Sequence, residues 1–239
     1  MRVRTWRNNE KRARFLIRTA GEIKSYVTQK KILSSLLVML LLLTGTLFTV
    51  SALHKNTGSF TVGVNKYEMT KYGLSLSETY DMLYKTSQLN ADISEEITNI
   101  AAEQIPENLD MIDGEHNGAN YIAYTFYLQN AGEVEISYEY SLDISNITNG
   151  LDEAIRIRLY VDGVPTTYAK TKSDGTGPEP NTKAFYSSTS AAAARVEGFE
   201  PGEQTKFTVV IWIEGTDPDC VDWLIGGKLR VDMNISVVH

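Results

Sequence analysis

The sequence predicts a mainly β fold: an antiparallel β-sandwich of jelly-roll or immunoglobulin-like type, with a small helical insertion, behind an N-terminal apolar export segment. Three observations predict it. From Asn120 onward, apolar residues recur at every second position in several separate runs, the period of a half-buried strand. Turn-forming Gly, Pro and Asn clusters separate these runs, and there is no strand-helix rhythm of the kind that builds a parallel sheet. Finally, Ile32 to Leu53 (ILSSLLVMLLLLTGTLFTVSAL) runs for 22 residues without a charge.

Charge is divided about that apolar stretch. Residues 1–31 carry ten Lys and Arg against Glu10 and Glu22, a net of +8. Residues 32–239 carry 13 basic against 28 acidic side chains, a net of −15. A basic flank stays in the cytoplasm, so residues 54–239 are expected outside, extracellular or on the cell surface. Two fates fit residues 32–53. A secretory apolar region is about 7–15 residues long and ends at a small-x-small site. Leu36 to Leu43 and Val50-Ser51-Ala52 supply both, with the cut between Ala52 and Leu53. As a helix, the same 22 residues would reach roughly 33 Å, enough to anchor the chain in a bilayer. The polar residues Thr44, Gly45, Thr46, Thr49 and Ser51 favour cleavage, which makes a signal peptidase the first partner.

Residues 54–239 are long enough for one ordinary domain with its own core. The single cysteine, Cys220, excludes an intramolecular disulfide and with it the small disulfide-scaffold class. A net of −15 gives no electrostatic reason to bind nucleic acid or anionic lipid.

Along the outer domain, Ser59-Phe60-Thr61-Val62-Gly63-Val64 alternates and forms a short strand. Ser75 and Glu78 have capping-box spacing, and Leu76, Tyr80, Leu83 and Tyr84 continue it at helical spacing. A second helix is expected through Ile93, Ile97, Ile100 and Ala101, stopping before Pro106, so the helical insertion covers about 75–105. Asp113 to Gly118 is a turn. Ile122, Tyr124, Phe126 and Leu128 share one strand face. Val134, Ile136, Tyr138, Tyr140, Leu142 and Ile144 share another, backed by Glu133, Glu135, Glu139 and Asp143. Ile155 to Val161 alternates with Arg156 and Arg158, which are placed to pair with that glutamate face. The strand meets Asp162-Gly163, a tight hairpin signal. Residues 172–182 form a Gly/Pro loop expected to be mobile and outside the core. Ala191–Ala194 fits either a helical turn or a strand. Phe207 to Ile213 is apolar on both faces, as a central strand would be, and Leu229 to Val237 alternates as the last strand.

Chemistry-bearing patterns are sparse. Glu214, Asp217, Asp219 and Asp222 are hard oxygen ligands that could gather round Ca²⁺. Their spacing fails the EF-hand pattern, with Val221 and Asp222 where a ligand and a glycine are required. The competing and favoured expectation is a short helix capped by Asp217 or Asp219, buried through Val221, Trp223, Leu224 and Ile225, and ended by Gly226-Gly227. His54, His116 and His239 are scattered, with no H-E-x-x-H, and no G-x-S-x-G elbow or phosphate loop exists. Cys220 lacks a neighbouring base, and the carboxylates beside it disfavour a thiolate. No enzyme is expected and no cofactor is required. Tyr121, Tyr127 and Tyr160 fall opposite the apolar strand faces, a candidate surface for glycan or protein.

One set of residues has a further resonance in its order along the chain. Thr44-Gly-Thr-Leu-Phe48, Thr57-Gly-Ser-Phe-Thr-Val-Gly63, Ala119-Asn-Tyr-Ile-Ala-Tyr-Thr-Phe126, Asn130-Ala-Gly132 and Trp212-Ile-Glu-Gly-Thr-Asp-Pro-Asp-Cys220 with Gly226-Gly227 resemble the TasA and camelysin family. These are Gram-positive surface proteins exported with a SipW-type signal peptidase. The long basic tail departs from that pattern. The resemblance implies a jelly-roll-like sandwich that assembles into extracellular fibres of the biofilm matrix. Camelysin's metalloprotease activity does not carry over, because no zinc motif is present. In such fibres, subunits join as homo-oligomers by strand addition. Cleavage after Ala52 would free Ser59–Val64 as a candidate donor strand. The alternatives are that these residues form the first strand of their own sandwich, and that the domain is an anchored or secreted adhesin-like binding module.

Overall fold

The computed structural model describes residues 33–46, 59–92 and 97–238. The chain divides into two units, Met1–Asn56 and Thr57–His239. In the first, residues 33–46 form helix α1, the leucine-dense part of the apolar stretch. Among the described residues, no helix is long and apolar enough to cross a membrane. The cleavage positions Ser51, Ala52 and Leu53 lie outside the described residues.

The second unit is mainly β. Its elements are β1 (Ser59–Val64), α2 (Lys66–Tyr72), β2 (Leu74–Ser77), β3 (Gln88–Asp92), β4 (Gly114–Glu115), β5 (Tyr121–Asn130) and β6 (Ile136–Ser145). They continue with β7 (Ile155–Val161), β8 (Val164–Ala169), β9 (Lys183–Ala184), β10 (Ser190–Phe199), β11 (Gln204–Ile213) and β12 (Arg230–Val238). One sheet runs β10-β6-β12-β1-β3; the other runs β2-β5-β11-β7-β8-β9, with β4 also on β5. The pairing is mostly antiparallel but not wholly so. β1 lies parallel to β12, and β8 parallel to β9. A parallel pair needs a long crossover, and between β1 and β12 that crossover is the rest of the domain.

The inner faces meet as the alternation requires. Phe60 packs edge-on against Tyr124 with ring centroids 5.8 Å apart, and Tyr140 against Phe207 at 5.3 Å, each pair bridging the two sheets. A second apolar cluster lies on the other side of the larger sheet. Ala123, Tyr160, Val210 and Trp212 are covered there by Ile105 and Leu109 from the 3-10 segments that replace a helix. Both faces of β11 are therefore buried, and it sits between β5 and β7. Tyr127 and Tyr160 are buried on that side rather than exposed.

Several local expectations yield to pairing. Ser75 and Glu78 form no capping box: Leu74–Ser77 is strand β2, buried at every position and paired with the end of β5. A cap contributes about 1 kcal/mol, less than burying Leu74 and Leu76, at roughly 1.5–3 kcal/mol each. The Glu78 carboxylate instead accepts from the Tyr124 hydroxyl. The helix lies earlier, as α2. The Asn65 side chain caps it by accepting from the Tyr67 amide at 2.9 Å, and Gly73 ends it at φ 75°. The second expected helix is reduced to 3-10 turns at Ala102–Gln104 and Leu109–Met111, and Ile93 lies outside the described residues. Among the described residues of 75–105 there are strands, turns and the 3-10 turn Ala102–Gln104, and no α-helix. Ala191–Ala194 resolves to strand, within β10. Arg156 and Arg158 cannot meet Glu133, Glu135 or Glu139, because β7 and β6 belong to different sheets.

Candidate functional site

β11 delivers Glu214 to the top of the larger sheet, and the turn that follows folds back on it. The Trp212 indole donates to Glu214 Oε2 at 3.0 Å, and the Thr216 amide and hydroxyl donate to Oε1 at 3.2 and 2.7 Å. Burial pushes this carboxyl up, but the bonds from Trp212 and Thr216, with the nearby Arg156 charge, hold it below the ordinary glutamate value. Asp217 Oδ1 accepts from the Asp219 amide at 2.8 Å, an Asx turn that sets the next carboxylate beside it. Asp217 Oδ2 accepts from Arg156 Nη2, an ion pair buried on both sides.

The third carboxylate comes from the loop expected to be mobile. Glu179 is only 7% exposed, with Oε2 3.9 Å from Arg156 Nη2. Ser173, from the same loop, donates to Asp219 Oδ1 at 3.1 Å. Part of segment 172–182 is therefore packed against the 217–219 turn. Burial pushes the Glu179 carboxyl above its ordinary value, with Asp217 adding repulsion and Arg156 opposing.

Of the four Ca²⁺ candidates, Asp217 and Asp219 come together, with Glu179 as third member; oxygens of these three lie within 4.8 Å of one another. Glu214 is committed to the Trp212 indole and Thr216. Asp222 is exposed, at the start of the 3-10 turn Asp222–Leu224. The residues fit a cation poorly, because Arg156 already supplies one: a metal would have to share Asp217 with the guanidinium. The cluster acts as an internal ion pair fastening two loops to β7. Arg158, beside it on the strand, lies 5.1 Å from the Trp212 ring and donates to Thr167 at 3.1 Å. Cys220 is half-buried and accepts from Asn99 Nδ2 at 3.3 Å.

The helix expected at 217–227 is one 3-10 turn without a side-chain cap. Leu224 alone is buried; Val221, Trp223 and Ile225 are exposed. Asp217 does cap, but it caps the Asx turn.

The candidate donor strand forms β1 in its own sheet. Phe60, Val62 and Val64 face the core, at most 6% exposed, and pair in register with Val231, Met233 and Ile235 of β12. β3 flanks it on the other side, with Phe60 opposite Ala91 and Val62 opposite Leu89. Arg156 and Glu179 were missed as site residues because they stand far from the acidic run in sequence. Pro178 and Pro180, which stiffen the backbone either side of Glu179, are the signal that it is held in place. No protein-family model matches the chain, and no curated protein matches it.

Proposed function

We propose that the chain is an exported structural protein of the cell surface or extracellular matrix, in the manner of the TasA and camelysin family, whose sandwiches join by exchanging β1. The observation that carries this reading is the position of β1. It is the first described element of the domain, is separated from the apolar stretch by five residues, and fills a slot between β12 and β3. Burying its three apolar side chains contributes roughly 1.5–3 kcal/mol each. If β1 of one copy filled the slot of the next, every one of these contacts would be kept. The cost of exchange would then fall on the hinge alone, and a head-to-tail contact of this kind propagates into a filament. The hinge is slight: α2 buries none of its residues.

The test is to lock the strand at home. Thr61 and Asp232 are register neighbours on the outer face, so Thr61→Cys with Asp232→Cys, in a Cys220→Ser background, would tie β1 to β12 of the same chain when oxidised. Chain 53–239 is expected to grow into polymers with concentration, seen by light scattering and electron microscopy. The oxidised variant is expected to stay monomeric until reduced. Polymers from the locked chain, or a free chain monomeric at every concentration, would refute exchange. The latter result, with an intact N-terminus in the membrane fraction, would favour the anchored binding module.

A further inference from the structure

The end of the sandwich at which β1 begins carries an exposed apolar tip. Ile147 is 36% exposed, Val221 47%, Trp223 71% and Ile225 77%. They belong to two loops held firmly together. Asn149 Nδ2 donates to the Ile225 carbonyl at 3.0 Å, the Thr148 amide to the Lys228 carbonyl at 2.9 Å, and the Lys228 amide to Thr148 Oγ1 at 2.8 Å. Leu224 is buried in the core cluster, whereas its sequence neighbours Trp223 and Ile225 are exposed. Large apolar side chains held rigidly outward mark a surface that something covers.

The register identifies which end this is. Ser59 pairs with Arg230, and Arg230 with Ser145. The first residue of β1, the first of β12 and the last of β6 therefore stand side by side, next to the loops that carry the tip. The chain from the apolar segment joins the sandwich here. In sequence, residues 47–58 link the described part of α1 to Ser59, so the apolar stretch enters the domain at this end.

We propose that the tip formed by Ile147, Val221, Trp223 and Ile225 docks on the interfacial layer of a lipid bilayer, seating the domain on the membrane while its N-terminal segment is still embedded there. Tryptophan suits that layer, where an apolar ring and a polar N–H are both satisfied. The net charge of −15 in residues 32–239 disfavours an anionic lipid surface. For the same reason the preferred surface is zwitterionic. The inference does not depend on strand exchange: a monomer and a fibre subunit carry the same tip.

The test uses chain 53–239, whose buried core among the described residues is drawn from residue 60 onward, and phosphatidylcholine vesicles. That chain holds two tryptophans, Trp212, fully buried, and Trp223, exposed, so a lipid-dependent blue shift of emission reports Trp223. A saturable shift with co-sedimentation is expected. Trp223→Ala with Ile225→Ala should weaken vesicle binding at least about ten-fold. Trp223→Phe should abolish the shift while most co-sedimentation remains, and adding phosphatidylglycerol should not strengthen binding. Two results would overturn the proposal: no shift or co-sedimentation at millimolar lipid, or a shift that follows protein concentration without vesicles, which would assign the tip to a second copy.

Discussion

Replacing Arg156 with alanine tests the ion-pair cluster most directly. In the native domain one guanidinium, 4% exposed, neutralises the Asp217 carboxylate and lies 3.9 Å from Glu179. Arg156→Ala leaves both carboxylates buried, with Glu214 nearby, and removes the cation. Breaking a buried pair by deleting one partner typically costs about 3–5 kcal/mol, because the remaining charge stays desolvated. That is a large part of the roughly 5–15 kcal/mol that holds a domain folded. At about 2–4 °C per kcal/mol for a chain of this size, melting should fall by roughly 6–20 °C. Urea unfolding of chain 53–239, followed through the buried Trp212, measures the same quantity. Arg156→Met with Asp217→Asn and Glu179→Gln should recover most of the loss, since a neutral, packed replacement removes the unpaired charge. A loss below about 1 kcal/mol for Arg156→Ala would refute the argument and imply that water or an ion already solvates the carboxylates. Calcium supplies the second arm. Native protein should melt at the same temperature with calcium or with chelator, whereas Arg156→Ala, which vacates the cation's place, is the form a metal would stabilise.

Three further outcomes are expected. Glu179 titrates above its ordinary value of 4.5, so its contribution is fully present below that pH and is lost as pH rises through the folded value; Glu179→Gln should therefore flatten the stability profile just above pH 4.5, as read by urea midpoints. Glu214 is shifted the other way, so its contribution is present above pH 4.5 and is lost as pH falls through its lower folded value; Glu214→Gln should remove that acid limb. Gly73 stands at φ 75°, where a Cβ would lie 2.3 Å from the Gly132 amide nitrogen, so Gly73→Ala should cost at least about 2 kcal/mol by thermal melting, from backbone strain and a forced shift of the 131–132 turn.

Long strands were legible because a half-buried strand writes its face into the sequence at period two. Tyr121–Asn130, Ile136–Ser145, Ile155–Val161 and Arg230–Val238 all lie where the alternation puts them. Asp162-Gly163 is the expected hairpin, both residues at positive φ (49° and 81°) and Val161 paired with Val164. Of the shorter elements, Ser59–Val64 was legible from its alternation, but others were not. Leu74-Ser-Leu-Ser77 is four residues long, and its serines carry as good a capping signal as a strand signal. What decides is the far end of β5, some fifty residues later, which offers a partner edge. The site failed for the same reason in a stronger form. Arg156 and Asp217 are 61 residues apart, and no local period relates them. The acidic run at 214–222 was visible as charge, but the cation that neutralises it was assigned to the wrong sheet.

The apolar residues of the last turn show where composition misleads. Val221, Trp223, Leu224 and Ile225 have the density of a buried helical turn, and burial is the ordinary expectation for such a run. A 3-10 turn of three residues has no second face to hide, so burying Leu224 turns Trp223 and Ile225 outward. β1 begins at the same end of the sandwich as the tip. The chain joins the sandwich beside Arg230 and Ser145, at the end where the exposed turn lies, and its first strand fills the slot between β12 and β3. Each feature alone has an ordinary explanation, a first strand in one case and an exposed loop in the other. Their adjacency makes this end the one that meets whatever precedes the domain. On the readings proposed above, that would be a membrane while the apolar segment remains attached; once it is cleaved, β1 would be free to leave for a neighbour. If both proposals hold, cleavage near Ala52 would switch the same end from a lipid contact to a subunit contact, without changing the fold of the sandwich.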